Sequence, residues 1–162
     1  MRSITRVSAV SAASALASFA CLATAGPAQA IGTAPFTITE SVDFAVEGAN
    51  TFTATGPLCA AGTFVDDVQT QAPGGGSFNG PDHSGGFNLV IRTTYSCTDG
   101  SGSFFALKHV HITFTDTGLT NTGPIQLLGG TGAYTQLTGH GVDNGTASGD
   151  TGTGLISGFV TR

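Results

Sequence analysis

Basic side chains are scarce in this sequence. Lys and Arg number five against ten acidic residues, and beyond residue 30 the strong bases are Arg92, Lys108 and Arg162. All ten acidic residues lie in that same part of the chain, which gives it a formal net charge of −7. Nucleic acids and anionic membrane surfaces are bound by clusters of Lys and Arg. The charge therefore argues against both as partners of the segment beyond residue 30.

The same segment lacks long apolar runs, sustained helical periodicity and the usual signatures of catalysis. No run beyond residue 30 is long enough to span a bilayer as a helix, and no stretch keeps a 3.6-residue apolar period. The nucleophile elbow Gly-x-Ser-x-Gly is absent, which argues against a hydrolase triad. The glycines within residues 129–132 lack the further glycine and the long helix of a phosphate-binding loop.

The first thirty residues have the pattern of a secretory signal peptide. Two arginines precede a small-residue apolar run over residues 7–25, and Ala28–Ala30 is an A-x-A cleavage site. The pattern predicts a signal peptide over residues 1–30 and one mature domain over residues 31–162. We therefore expect a secreted, extracellular protein with no membrane attachment after cleavage.

Cleavage would leave two cysteines, Cys59 and Cys97. An even number of cysteines in an oxidising compartment favours a structural disulfide. A catalytic or metal-bound thiol is the alternative. In the chain-entropy argument, closing the loop between the two residues stabilises the fold by about 4 kcal/mol.

Short β-strands account for most of the mature segment. Apolar and polar residues alternate over residues 36–46 and again over 87–97, as in half-buried strands. Asp99-Gly100 is a hairpin signal that leads into a return strand over residues 104–115. Ala72–Gly86 contains six glycines and two prolines, and we expect it to be the longest loop. Seven or eight strands joined by short turns predict an antiparallel barrel or sandwich.

A glycine-rich corner follows a short strand predicted over residues 125–128. Tyr134 and Leu137 are spaced as one helical turn would place them, and an extended segment resumes at about Thr138. The expected order is strand, tight turn, one helical turn, strand. The glycines assigned to the structural turn, where positive φ is free, are Gly129, Gly130 and Gly132.

This corner resembles the allene oxide cyclase and dirigent superfamily, and the segments Cys59–Thr63 and Cys97–Gly102 resemble its small secreted bacterial members. Those proteins carry an apolar strand, a Gly-Gly-Thr-Gly turn, an aromatic residue and then glycine. The matching residues are Leu127, Leu128, Gly129, Gly130, Thr131, Gly132, Tyr134, Leu137 and Gly139. The resemblance implies an all-β fold, a single antiparallel eight-stranded, calycin-like β-barrel with an apolar lumen, often assembled as a homotrimer. Plant relatives use the lumen to cyclise a fatty-acid epoxide or to orient phenoxy radicals.

Glu40 is the candidate catalytic residue. It lies on the strand face that carries Ile38 and Val42, where an ionised carboxylate is costly unless it is paired. In a lumen it could act as a general acid or base, or stabilise a developing cation. The alternative is a bulge at Thr39-Glu40 that turns the side chain to solvent.

Four further residues are candidates for ligand binding: Phe44, Tyr95, His109 and His111. The two histidines share one face of a strand at the spacing that allows two imidazoles to bind one metal ion. Since Lys108 interrupts the opposite face, the strand could equally expose both histidines to solvent. No third ligand is fixed by spacing, so we predict neither a metal nor a cofactor.

Two functions are compatible with these features. The favoured one is a non-catalytic secreted barrel that binds a small apolar ligand or serves as an extracellular structural protein. The alternative is a cyclase or isomerase that acts on a lipid-like or phenolic substrate in the lumen, with Glu40 as the acid or base. A cavity of several hundred Å3 with Glu40 pointing in would favour ligand chemistry. The bulky residues that instead favour a filled interior are Phe36, Phe44, Phe87, Phe104, Phe105 and Phe114.

Overall fold

The computed structural model of the protein describes residues 32–46, 48–73 and 85–161. The predicted signal peptide, its cleavage site and residues 74–84 of the predicted loop lie outside the described residues. Among those described, no helix has the length and apolar character needed to cross a membrane.

The described chain forms eight strands and one 3-10 turn, at Gly132–Tyr134. The strands are β1 (Thr33–Asp43), β2 (Thr51–Thr55), β3 (Ala61–Pro73), β4 (Gly86–Cys97), β5 (Ser103–Thr115), β6 (Gly118–Gly130), β7 (Thr138–Ser148) and β8 (Thr151–Thr161). Both ends of the predicted loop Ala72–Gly86 therefore belong to strands, because β3 extends to Pro73 and β4 begins at Gly86.

These strands form a closed barrel in which each pairs with its neighbours in chain order. Every pairing is antiparallel, and β8 closes the barrel against β1 over the whole length of both strands, from Thr33–Thr161 to Asp43–Thr151. A closed sheet has no free edges, and alternate side chains of each strand point into the interior. The prediction of an all-β, antiparallel, eight-stranded barrel is confirmed.

β6 is longer than the sequence pattern indicated. We predicted a strand from residue 125, but β6 begins at Gly118 and passes through Gly123 and Pro124. The pairing with β5 skips both of these residues, so the missing N–H of Pro124 breaks no ladder bond on that side. A Cβ on Gly123 would lie 2.0 Å from the carbonyl oxygen of His109, so the close approach of the two backbones requires glycine there.

The glycine corner has the predicted order of strand, turn, single helical turn and strand, and it buries both Tyr134 and Leu137. Of its three glycines only Gly132 has a positive φ, at +57°. Close approach explains the other two. A Cβ on Gly130 would lie 1.8 Å from a carbonyl oxygen of β5, and one on Gly129 would lie 2.7 Å from a carbonyl oxygen of the corner itself.

The predicted pairing of Cys59 with Cys97 agrees with the structure, where their sulfur atoms are 2.09 Å apart. The bond ties the segment before β3 to the last residue of β4. Next to it, aromatic rings fill the half of the barrel nearest the glycine corner. Tyr95 stacks on Phe104 with ring centroids 4.8 Å apart, and Phe52 meets Tyr95 edge-on at 5.1 Å. This half of the interior is packed and leaves no room for a ligand.

Candidate functional site

A layer of polar side chains crosses the barrel interior beside the aromatic half. Six of the eight described strands each place one polar side chain inside, at a position whose neighbours two residues away are apolar or glycine. The residues of this polar layer are Glu40 of β1, Asp66 of β3, Thr93 of β4, Lys108 of β5, Asn121 of β6 and Asp143 of β7.

The centre of the polar layer is a buried ion pair between Glu40 and Lys108. Lys108 Nζ lies 2.6 Å from Glu40 Oε1, and the two side chains are only 3% and 6% exposed. The hydroxyl of Tyr95 donates a hydrogen bond to the same oxygen. Lys108 Nζ also lies over the Phe64 ring, 5.6 Å from its centroid. A buried carboxylate is tolerated here because it is both paired and hydrogen-bonded.

Glu40 faces the lumen, which decides between the two alternatives left by the sequence. The pairing of β1 with β2 and with β8 runs through Glu40 without a register shift, opposite Phe52 and Gly154. A bulge at Thr39-Glu40 would interrupt that pairing. The regular strand therefore carries this carboxylate into the interior.

Asp143 is the least satisfied group of the polar layer. Asn121 Nδ2 donates to Asp143 Oδ2 at 3.2 Å, whereas Asp143 Oδ1 is buried and has no hydrogen-bond partner among the described residues. Gly154 lies opposite Glu40 on the neighbouring strand. A Cβ on Gly154 would be 2.8 Å from Glu40 Oε2 and 3.6 Å from Asp143 Oδ1. One oxygen of each carboxyl group thus borders the space that the missing side chain of Gly154 leaves.

Burial and mutual charge shift the pKa values of this layer. Burial raises the pKa of Asp143 to about 6; the positive charge of Lys108 opposes the shift, and the negative charge of Glu40 adds to it. Burial, and then the charge of Glu40, raises the pKa of Tyr95 well above its ordinary value. Burial alone would lower the pKa of Lys108, but the surrounding carboxylates outweigh it and raise that pKa. With a pKa of about 6, Asp143 can exchange a proton near neutral pH.

A cavity of about 210 Å3 extends from the polar layer toward the end of the barrel where β1 ends and β8 begins. Its floor contains Glu40, Lys108 and Asp143. The apolar side chains that line its wall are Val42, Leu89, Ile91, Val110, Ile112 and Leu119. An apolar pocket with a few convergent polar groups and a shifted pKa is the usual form of a small-molecule site.

The structure brings some of the predicted site residues to this cavity and leaves others elsewhere. Glu40 and Phe44 line it, although Phe44 lies beyond the end of β1 and is 60% exposed. Tyr95 is buried behind the floor and reaches the site through Glu40. His109 and His111 are not brought to the lumen, because the inward position between them is taken by Val110. Their strand presents them on the outside of the barrel, as the alternative interpretation expected.

His111 contacts the neighbouring strand β4. Its Nδ1 lies 3.0 Å from Asn88 Oδ1 on β4. Within the part of the chain that the structure describes, no three His, Cys, Asp or Glu side chains are grouped so as to hold a metal ion.

Sequence reasoning missed Lys108 and Asp143 as site residues. A usable signal existed for Lys108, which alternates with buried Ala106 and Val110 and so shares their inward face. In the sequence pattern, Lys108 bears only on whether its neighbours His109 and His111 are exposed to solvent. For Asp143 the alternation predicts an outward position, because the adjacent apolar residue Val142 would be expected to face the interior. In the structure Val142 faces outward instead and is 47% exposed.

In chemical terms, the cavity can bind an apolar body against its wall and a polar group against its floor. Asp143 can also take up or release a proton near neutral pH. In comparisons with known proteins, the chain matches no family model, and no curated protein or solved structure matches it significantly.

Proposed function

We propose that this protein is a secreted, calycin-like barrel of the allene oxide cyclase and dirigent type that binds a small, mostly apolar molecule in its lumen. The observation that carries the proposal is the division of the interior into a packed aromatic half and a cavity with an apolar wall and a polar floor. A purely structural barrel needs no cavity, and its polar groups would be placed outside. The volume of about 210 Å3 has room for roughly seven water-sized groups, so the ligand is small.

The floor is suited to orienting a ligand more than to attacking it. Lys108 and Tyr95 both bond to Glu40 Oε1, and these contacts fix the position of the carboxyl group. Rigid polar groups at the bottom of an apolar pocket fix the direction in which a ligand enters. Non-catalytic binding is therefore the first function that we assign to this site.

A second candidate, an isomerase that moves a proton on a bound substrate, is favoured by one observation. Asp143 is buried at the cavity with a pKa of about 6, close to the pKa that suits a general acid or base at neutral pH. On this hypothesis Asp143 would move the proton, and the negative charge of Glu40 would stabilise positive charge that develops on the substrate. A substrate bound by the protein and released unchanged in mass but rearranged would support the isomerase over the binding protein.

The first test of the proposal is native mass spectrometry of protein purified from its own culture medium without lipid extraction. We expect a stoichiometric small molecule on the barrel. In the second test, binding of the uncharged probe 1-hexanol is monitored by the NMR chemical shifts of the lumen amides, which are the backbone amides of the residues that line the cavity. Ala147 lines the cavity, so Ala147→Phe should abolish the response.

The matched control is Ala133→Phe, which places the same side chain at an exposed position in the glycine corner. We expect it to leave 1-hexanol binding unchanged. If native protein carries no ligand and 1-hexanol leaves the lumen amides unshifted, the barrel is a structural protein and the proposal is wrong.

A further inference from the structure

We propose that the polar end of the ligand is a protonated amine, so that the lumen selects small apolar amines over alcohols and carboxylic acids. This inference rests on the proposed function, because it specifies the ligand that the cavity takes. Three observations carry it: the charge of the lining, the hydrogen-bonding capacity of the floor, and the space beside Gly154.

The charge of the lining is negative. The ionisable residues around the cavity are three acids, Glu40, Asp66 and Asp143, and one base, Lys108. Lys108 is held by Glu40 at 2.6 Å, so its charge is already matched. Asp66 accepts a hydrogen bond of 2.5 Å from the Thr93 hydroxyl and is the more exposed of the acids. This leaves Asp143 as a buried carboxyl group with no cation of its own, and a second carboxylate brought by a ligand would be repelled.

The floor offers hydrogen-bond acceptors and needs donors. Asp143 is 3% exposed, and its Oδ1 has no partner among the described residues. A buried acceptor left unsatisfied destabilises the folded protein, and more so when it is charged. An ionised carboxylate on the ligand has no hydrogen to donate, an alcohol donates one, and an ammonium group donates three.

Gly154 lies beside both carboxyl groups and has no side chain to separate them from the cavity that it lines. A Cβ at this position would approach Glu40 Oε2 to 2.8 Å and Asp143 Oδ1 to 3.6 Å, so both oxygens lie on the side of Gly154 where any other residue would place its side chain. An ammonium group there could donate to both oxygens at once. With the ammonium group bound, the positive charges of the ligand and of Lys108 would together balance the negative charges of Glu40 and Asp143.

The ammonium pairs with Asp143 only while that carboxyl group is ionised. Burial sets its pKa at about 6, so protonation below that pH removes the negative charge that the amine needs. The charged and polar groups that act on Asp143 from the surrounding strands are Glu40, Asp66, Lys108 and Asn121. Amine binding should therefore weaken as the pH falls through about 6.

The test compares three probes with the same apolar body, hexylamine, 1-hexanol and hexanoate, by isothermal titration and NMR. At about pH 7.5 we expect hexylamine to bind about tenfold more tightly than 1-hexanol, because one contact becomes charge-assisted, and hexanoate to bind least. Between about pH 7.5 and pH 5 the affinity for hexylamine should fall roughly tenfold, in line with a pKa of about 6. The affinity for 1-hexanol should change less than twofold.

Asp143→Asn is the decisive variant, with Asp150→Asn in an exposed turn as its matched control. We expect Asp143→Asn to bring hexylamine to the affinity of 1-hexanol and to remove the pH dependence, while Asp150→Asn changes neither. If 1-hexanol binds as tightly as hexylamine, or if hexanoate binds best, the proposal of an amine ligand is wrong, while the proposed binding of a small apolar molecule stands. If none of the three probes binds, both proposals are wrong.

Discussion

Replacing Asp143 by Asn should make the protein more stable at neutral pH. Asp143 is an acid whose pKa is raised from 3.8 to about 6 by folding, so the folded state holds this proton more tightly than the unfolded state does. The contribution of Asp143 to the free energy of unfolding is then most favourable below pH 3.8 and is lost as the pH rises to about 6. The difference of about two pKa units corresponds to about 3 kcal/mol at neutral pH. Asparagine carries no charge and avoids this loss.

The geometry supports the same substitution. Asn121 can still donate to the amide oxygen of the new side chain, and the amide N–H group then takes the place of Oδ1. The negative charge of Glu40, which raises the pKa of Asp143, has no second carboxylate to repel once the amide is present. We therefore expect no new unsatisfied group in the Asp143→Asn variant.

The assay is urea unfolding of the protein and of Asp143→Asn at several pH values between about 4 and 7.5. The gain in the free energy of unfolding should be close to zero at pH 4 and reach about 3 kcal/mol by pH 7.5, with unchanged m-values. Asp150→Asn serves as the exposed control and should show no such trend. A gain that is the same at every pH, or a loss of stability at pH 7.5, would refute the assignment of a raised pKa to this buried group.

Three further changes test the architecture. Glu40→Gln should lower the free energy of unfolding by about 3–5 kcal/mol because it leaves the buried charge of Lys108 unpaired. Adding Lys108→Met should recover most of that loss in a double-mutant cycle. Replacing both disulfide cysteines by Ala should cost about 4 kcal/mol for the 38-residue separation, measured by thermal unfolding against the oxidised, disulfide-bonded protein. Gly132→Ala should destabilise far more than Gly149→Ala: their φ angles are +57° and +58°, but only at Gly132 would the Cβ meet a carbonyl oxygen, at 2.2 Å. Equal losses at the two glycines would contradict the close-approach argument.

The strands were predictable because alternation is a local signal, whereas the choice of a barrel over a sandwich came from the resemblance at the glycine corner. In β1 the apolar positions Phe36 and Ile38 mark the inward face, and Glu40 falls on that face without any knowledge of its neighbours. The hairpin at Asp99-Gly100 and the corner at Gly132 depend on backbone conformations that short motifs encode. Each of these features involves residues that are close together in the chain.

The division of the interior into a packed aromatic half and a cavity was not predictable, because it depends on how far along the barrel axis each inward side chain lies. Counting phenylalanines predicted a filled interior, yet Phe105 faces outward under Arg92, whose guanidinium carbon lies 4.6 Å from the ring centroid. Phe44 lies past the end of its strand. β7 contributes almost no apolar signal, since its inward positions are glycines, Asp143 and Ala147. Registers between distant strands decide which side chains share a layer, and a single sequence does not contain them.

The pairing of β1 with β8 makes the cavity depend on closure of the barrel. Glu40 pairs with Gly154 across these two strands, so the floor of the site joins the first strand to the last. Until β8 has been synthesised and has closed on β1, the carboxyl group of Glu40 lacks the wall that Gly154 provides, and both edges of the sheet stay open. Contacts this distant in sequence form late and slowly. Ligand binding would therefore report complete closure, and a product truncated before β8 would lose its binding site and expose its edges to aggregation at the same time.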